Sequence, residues 1–239
     1  MIVSESFFGP EVEFGTPELR LPEELREPIR RHLEQLRERY LAMQWAQRVG
    51  FGRRPAMLVI DLALNWTKPH SQMGSHVDPI VEATCRVLLA ARGAGIPIFF
   101  SSYDFDPHEM PGLEPRKYVM DVKEEHASLY DLDPRLQRQP HEKLFRKKFA
   151  SCFKGTYLHE MLTALGVDTL IVTGLSTSHC VYATCRDATD SFRVIVPREA
   201  VGERCQIMHM VNLVDIDIDL GDVMPMAQVI DYLESGDTS

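Results

Sequence analysis

Cysteine, positive charge and long apolar runs are all scarce in this chain of 239 residues. Its five cysteines show no Cys-x-x-Cys or Cys/His spacing, which argues against a disulfide framework and a structural zinc site. Acidic residues outnumber basic ones by 35 to 26, and the net charge of −9 disfavours binding to nucleic acids or anionic membranes. No apolar run is long enough to cross a bilayer, and the first residues lack the features of a secretory signal. We therefore expect a cytoplasmic protein that acts on a small molecule.

A glycine-rich turn is also missing after the first predicted strand, which is followed by Asp61-Leu62-Ala63-Leu64-Asn65. A nucleotide-binding doubly wound domain needs such a turn to bring its backbone close to a phosphate, so this alternative is disfavoured. The length and the hydrophobic share of 44% instead fit one large α/β domain with a substantial core.

Residues 1–50 are predicted to form an irregular segment followed by an amphipathic helical arm over residues 22–48. The apolar residues of this arm recur at three- to four-residue intervals among Arg and Glu: Leu33, Leu36, Tyr40, Leu41 and Trp45. The arm either packs against its own chain or crosses to another subunit, and the sequence leaves both possibilities open.

Residues 51–239 are predicted to form the main domain, in which short apolar runs alternate with helical stretches. The predicted strands cover residues 56–60, 96–100, 143–146, 169–173 and 193–196, and the predicted helices cover residues 77–94, 156–166 and 178–191. This alternation indicates an α/β fold with a doubly wound, mainly parallel sheet. Ligands of such sheets bind beyond the carboxyl ends of the strands.

Three polar residues follow predicted strands: Asp61, Lys147 and Cys180. Cys180 lies where a strand passes into a helix, and the unpaired N–H groups of a helix N-terminus favour the thiolate. Asp61 can then accept the thiol proton while Lys147 holds the carboxylate and Cys180 attacks a carbonyl group. Each residue also has a simpler interpretation, because a buried core thiol, a turn aspartate and a solvated basic cluster are all common.

The three residues lie in segments with a wider pattern: Leu58-Val59-Ile60-Asp61, residues 147–156 (KKFASCFKGT) and residues 174–181 (GLSTSHCV). These segments resemble the isochorismatase-like cysteine hydrolases. The second is similar to the family pattern Lys-x-x-x-Ser-Ala-Phe-x-x-Thr, which selects Lys147 rather than Lys148 as the catalytic lysine. The resemblance extends from about Gly50 to Leu233 and is greatest to the N-carbamoylsarcosine amidases and maleamate amidohydrolases.

The resemblance implies a Rossmann-like, three-layer α/β/α fold with a six-stranded sheet and an Asp61-Lys147-Cys180 catalytic triad. It implies a cis peptide between Leu175 and Ser176, and an oxyanion hole formed by the backbone N–H groups of Ser176 and Cys180. The implied activity is hydrolysis of the C–N bond of a small linear amide or ureido compound through a thioester, with release of ammonia. No cofactor is implied, and a homo-oligomer, specifically a tetramer, is expected.

Substrate-binding residues are expected around this triad. In the N-carbamoylsarcosine amidases an arginine binds the substrate carboxylate, and Arg204 stands at the corresponding position in Gly202-Glu203-Arg204. A structural ion pair with acidic neighbours is an equally open role for this guanidinium. The other residues assigned to the pocket are Asn65, Trp66, Ser176 and His179, with a plain turn as the alternative for the first two and a packing role for the last.

Two departures from the family pattern leave the substrate open. Cys152 replaces the usual alanine, and His179 replaces a small residue. We expect N-carbamoylsarcosine-like substrates first, with maleamate-type amides or biuret and triuret as alternatives, or a catalytically silent binding domain, which the retained triad disfavours. Related nicotinamidases bind a metal through Asp-x-His. Here residues 104–108 read DFDPH, with Asp106 in place of the histidine, so no metal is expected.

Overall fold

The computed structural model describes residues 6–103 and 124–236, and a parallel β-sheet with helices on both faces forms its centre. The strands are β1 (Pro55–Ile60), β2 (Ile98–Tyr103), β3 (Lys143–Lys147), β4 (Thr169–Leu175), β5 (Arg193–Pro197), β6 (Val201–Gly202) and β7 (Asp222–Met224). The helices are α1 (Glu23–Ala42), α2 (Leu64–Thr67), α3 (Asp78–Gly93), α4 (Leu158–Ala164), α5 (Tyr182–Ala188), α6 (Gln206–Asp219) and α7 (Met226–Glu234). The predicted α/β class is confirmed.

The order of the strands across the sheet is β3-β2-β1-β4-β5-β7, which gives the six expected strands, and the two-residue strand β6 pairs with β4 as a seventh. All of these pairings are parallel. The central strands β1 and β4 are buried along their whole length, as expected for parallel strands covered on both faces. Alternate residues of β1 therefore enter two separate cores, one shared with α4, α5 and α6 and the other with α3 and α7.

The helical arm packs against its own chain. Leu33 of α1 lies in an apolar cluster with Leu21, Met210 and Val214, and Arg37 pairs with the buried Asp217 of α6 at 2.5 Å. The helix ends at Ala42, six residues before the predicted end at residue 48, because the backbone turns into left-handed conformations soon afterwards. Trp45, which the helical pattern placed on the apolar face, is instead 57% exposed.

Other elements also differ from the sequence-based prediction. The strand predicted at residues 96–100 lies at Ile98–Tyr103, since Pro97 has no N–H group for the ladder and the polar Ser101 and Ser102 continue the buried strand. The elements from β6 to α7 were not predicted individually. Within the two described ranges, no helix has the combination of length and hydrophobicity that crossing a membrane requires.

We predict that truncating Leu33 to alanine destabilises the protein by about 2–4 kcal/mol, because Leu33 is buried between α1 and α6. Leu25 on the same helix is 45% exposed, so Leu25→Ala provides a matched control with an expected effect below about 1 kcal/mol. Chemical denaturation of both variants measures the difference. Equal losses would show that the arm does not depend on this contact.

Candidate active site

The carboxyl ends of four adjacent strands bring distant parts of the chain together. Ile60, the last residue of β1, is in register with Ser101 of β2 on one side and Gly174 of β4 on the other. One strand further out, Tyr103 of β2 is in register with Lys147 of β3. Asp61 and the turn that follows β4 therefore lie close to Lys147 at the carboxyl-terminal ends of the strands, where doubly wound folds bind their ligands.

Close contact between β1 and β4 requires a glycine at position 174. Gly174 has a φ of 109°, and a Cβ atom built on it would lie 2.0 Å from the carbonyl oxygen of Ile60. Any side chain would push the two strand ends apart. Asp61 also has a positive φ of 51°, a conformation that residues with a Cβ atom adopt mainly where the surrounding structure imposes it.

The ammonium group of Lys147 lies between a carboxylate and a thiol. Its Nζ atom is 2.7 Å from Oδ2 of Asp61 and donates a hydrogen bond to Sγ of Cys180 at 3.4 Å. A third bond goes to the carbonyl oxygen of Phe149 at 3.1 Å. The side chains of Lys147 and Asp61 are 0% and 2% exposed. The structure thus brings together the three residues that the sequence analysis grouped.

Further residues support this cluster. Ser101 donates a hydrogen bond to Oδ1 of Asp61 at 2.8 Å and accepts one from the thiol of Cys152 at 3.5 Å. The ring of Tyr103 lies 4.2 Å below the Lys147 ammonium, close enough for a cation–π interaction. Ser101 and Tyr103 are not among the site residues predicted from the sequence, although Ser101 directly follows the strand predicted at residues 96–100. The strand-end rule that selected Asp61 would also have selected Ser101.

Cys180 lies in a helical turn of the π type at Thr177–Val181, which continues into α5. The peptide between Leu175 and Ser176, at the start of this turn, is cis, as the resemblance implied. The turn holds Cys180 over the end of the sheet, and its thiol also lies 4.0 Å from the Tyr103 hydroxyl.

Burial raises the pKa of the Cys180 thiol, and the nearby Asp61 carboxylate raises it further, while Lys147 only partly offsets these effects. The effect expected from the helix N-terminus, a thiolate favoured over the thiol, is therefore outweighed by burial, because Cys180 is only 3% exposed. Burial works against the positive charge of Lys147, but the Asp61 carboxylate outweighs it and the lysine pKa rises. The resting site therefore holds a neutral thiol beside a buried ammonium–carboxylate pair.

A cavity of about 340 Å³ opens onto Cys180 and Asp61. Its remaining walls are formed by Trp66, Met73, Leu175, Ser176, Ser178, His179, Glu203 and Arg204. Four of the predicted pocket residues, Trp66, Ser176, His179 and Arg204, thus line the cavity. Asn65 is buried outside these walls, because α2 turns it away from the cavity that Trp66 faces.

Glu203 connects one wall of the cavity to the turn that carries Cys180. Its buried carboxylate accepts hydrogen bonds from the N–H of Ser178 at 3.1 Å, from the Ser178 hydroxyl at 2.6 Å and from the N–H of Arg204 at 2.8 Å. The Arg204 guanidinium is 3.9 Å from Glu203 at Nε and 5.9 Å from the centre of the Trp66 ring. The 3.9 Å separation from Glu203 is too long for a hydrogen bond, so Glu203 holds the backbone of Arg204 more firmly than its side chain.

Residues 104–108, which carry the incomplete metal-binding pattern, lie outside the described residues. Among residues 6–103 and 124–236, no group of three or more His, Cys, Asp and Glu side chains is arranged to hold a metal ion.

Comparison with known proteins identifies the family. Residues 55–228 match the family model of the isochorismatase domain. The chain is 34% identical over 197 residues to the N-carbamoylsarcosine amidase of Arthrobacter sp, a match that covers 79% of this chain and 75% of that protein. It is 36% identical over 194 residues to the maleamate amidohydrolase of Pseudomonas putida, with coverages of 79% and 91%.

Solved structures with lower sequence identity share the fold. A cysteine hydrolase from Pseudomonas syringae pv. phaseolicola superposes with a TM-score of 0.72 at 24% identity, and the match covers 80% of this chain and 98% of the hydrolase chain. An N-carbamoylsarcosine amidase from Thermoplasma acidophilum gives a TM-score of 0.63 at 23% identity, with coverages of 72% and 96%.

The raised thiol pKa predicts how alkylation of Cys180 depends on pH. Because the thiolate is the reactive form, the rate with iodoacetamide is expected to keep rising beyond the ordinary thiol value of 9.0. Mass spectrometry of the peptide containing Cys180, between about pH 6 and about pH 10, measures this rate, and Cys180→Ser identifies the signal. A plateau near neutral pH would contradict the prediction.

Proposed function

The chain belongs to the isochorismatase family. We propose that it is a cysteine amidohydrolase that cleaves the C–N bond of a small linear amide or ureido compound, with compounds like N-carbamoylsarcosine as the first candidate substrates. The observation that carries this proposal is the position of Lys147, whose ammonium contacts both the Asp61 carboxylate and the Cys180 thiol at the wall of a cavity. Relatives at 34–36% identity are named as amidases, which supports the same reaction class.

In the proposed cycle, Asp61 acts as the general base and Cys180 as the nucleophile. Asp61 takes the thiol proton as Sγ attacks the carbonyl carbon, and the carbonyl oxygen becomes an oxyanion. The backbone N–H groups of Ser176 and Cys180 donate to this oxyanion. One such donor typically lowers the barrier by about 3 kcal/mol.

The second half of the cycle regenerates the enzyme. Asp61 returns its proton to the leaving nitrogen, the C–N bond breaks, and ammonia leaves a thioester on Cys180. Asp61 then takes a proton from water, the hydroxide attacks the thioester carbonyl, and the acid product departs as the thiol is reprotonated. Lys147 stays charged throughout, because its raised pKa keeps the proton on Nζ, and it stabilises negative charge on either neighbour.

Cys180 is favoured over Cys152 as the nucleophile. Both thiols lie near Lys147, but Cys180 lines the cavity whereas Cys152 is fully buried behind Ser101. The walls of the cavity do not include Cys152, so this thiol is not presented to a substrate. The contact of Cys152 with Ser101 indicates a packing role.

Arg204 is proposed to bind a carboxylate on the substrate. Its guanidinium lies on the cavity wall near Trp66, and its side chain is 37% exposed. A guanidinium can bind a carboxylate through two parallel hydrogen bonds, and N-carbamoylsarcosine and maleamate both carry such a group. This feature favours the carboxylate-bearing substrates over biuret and triuret.

Replacing Cys180 by serine is expected to lower kcat more than about 10³-fold while leaving thermal stability nearly unchanged, because the hydroxyl is a much weaker nucleophile. Cys152→Ala is the matched control and should keep activity within about tenfold. Ammonia release from N-carbamoylsarcosine, other N-carbamoyl amino acids, maleamate, biuret, triuret and nicotinamide measures activity and identifies the substrate. Near-normal turnover by Cys180→Ser would overturn the nucleophile assignment. A wild-type protein that releases no ammonia from any of these compounds would favour a silent binding domain.

Arg204→Gln is expected to reduce kcat/KM for carboxylate-bearing substrates by about 10- to 100-fold, through the loss of a charge-assisted hydrogen-bonded pair. Turnover of a neutral ureide such as biuret should change by less than about threefold. Steady-state ammonia release on both substrate types provides the comparison. An equal loss on both would assign Arg204 to the structural ion pair with Glu203.

A further inference from the structure

We infer that the N-terminal segment Phe14–Thr16, which lies outside the matched family domain, positions Arg204 and thereby sets the preference of the site for carboxylate-bearing ligands. This inference rests on the proposed function, because it assumes that Arg204 binds a carboxylate. It assigns a specificity-determining role to residues that are distant from the catalytic cluster in the sequence.

The segment is bonded to two walls of the cavity at once. The N–H of Thr16 donates to the carbonyl oxygen of Arg204 at 2.8 Å. Gly15 forms an antiparallel bridge with His76, with N–H to carbonyl distances of 2.7 and 3.3 Å. His76 belongs to the loop after α2 that supplies Met73 to the cavity. The segment thus connects the part of the cavity wall formed by Arg204 to the loop that contributes Met73.

A third contact connects the segment to the turn that carries Cys180. The ring of Phe14 packs edge-on against His209 with a centroid distance of 4.9 Å. His209 is bonded through Nδ1 to the Thr177 hydroxyl at 2.9 Å, and that hydroxyl donates to the carbonyl oxygen of Gly202 at 3.0 Å. Burial lowers the His209 pKa to about 3, so this imidazole stays neutral and acts as a fixed packing group.

Gly15 fits so closely against Arg204 that a side chain cannot be accommodated. Its φ is 90°, and a Cβ atom built on it would lie 2.7 Å from the carbonyl oxygen of Arg204 and 3.1 Å from that of Glu203. Both neighbours are backbone atoms, which cannot move aside without moving the wall. Substitution at position 15 therefore displaces the backbone from which the Arg204 guanidinium extends.

The test compares how fast Cys180 is alkylated by iodoacetate and by iodoacetamide at one pH. In both reactions Sγ bonds to the methylene carbon, iodide leaves, and the thiol proton is lost. The reagents differ in that only iodoacetate carries a carboxylate for Arg204. The ratio of their rate constants cancels the thiolate fraction, so it reports anion selectivity rather than nucleophile activation.

Arg204→Gln is expected to lower the iodoacetate to iodoacetamide ratio by about tenfold, and Gly15→Ala should lower it nearly as far. Gly50→Ala is the matched control, because Gly50 also has a positive φ, of 65°, but open space around its Cβ position. Its ratio should stay within about twofold of the wild type. Thermal unfolding of each variant separates loss of selectivity from loss of folding.

Thr16→Pro is a second variant in case Gly15→Ala does not fold. It replaces the N–H that binds Arg204 with a ring carbon, and the extended backbone of Thr16, with a φ of −90°, is near the range that proline adopts. A folded Gly15→Ala or Thr16→Pro protein with the wild-type ratio would overturn the positioning role, provided that Arg204→Gln loses selectivity. If Arg204→Gln retains the wild-type ratio, the carboxylate-binding role proposed for Arg204 fails, and this inference fails with it. If neither reagent modifies Cys180, the assignment of Cys180 as a nucleophile that ligands can reach fails instead.

Discussion

The buried ion pair between Asp61 and Lys147 is the interaction on which the site depends. Neither charge is exposed to water, so each is stable in this environment only beside the other, and removing one partner from such a pair typically costs about 3–5 kcal/mol. The pair forms because β1, β2 and β3 run parallel in a fixed register, so that their carboxyl-terminal ends lie side by side. Ser101 and the Tyr103 ring complete its surroundings from the strand in between.

The same closed surroundings determine the state of the nucleophile. A low-dielectric site that stabilises an ion pair also penalises a third isolated charge, which explains why the Cys180 pKa is raised rather than lowered. In the proposed chemistry the thiol proton moves to Asp61 only as the carbonyl is attacked. Groups that are already oriented toward the developing charge do not need to reorganise during the reaction. A buried thiol is therefore compatible with a mechanism in which negative charge develops only when Cys180 attacks a bound substrate.

Different parts of the structure build the catalytic cluster and the pocket around it. The sheet supplies Asp61 and Lys147, whereas most of the cavity wall comes from α2 and the loop after it, from the Glu203–Arg204 turn and from the turn after β4. The Glu203 carboxylate accepts hydrogen bonds from the N–H groups of Ser178 and Arg204, and the segment Phe14–Thr16 forms backbone hydrogen bonds with Arg204 and His76, so both connect these walls. Changes in the walls can therefore alter which ligand is accepted without disturbing the ion pair.

The sequence by itself determined the α/β class, most of the central strands and the residues of the Asp61, Lys147 and Cys180 cluster, because hydrophobic periodicity and short motifs are local properties. It did not determine the helix end at Ala42, the continuation of β2 through Ser101, or the raised pKa of Cys180. The contacts of the arm with its own chain and the packing of Gly15 against Arg204 are likewise visible only in the tertiary structure. These features depend on burial and on contacts between residues far apart in the chain, and such contacts exist only once the chain has folded.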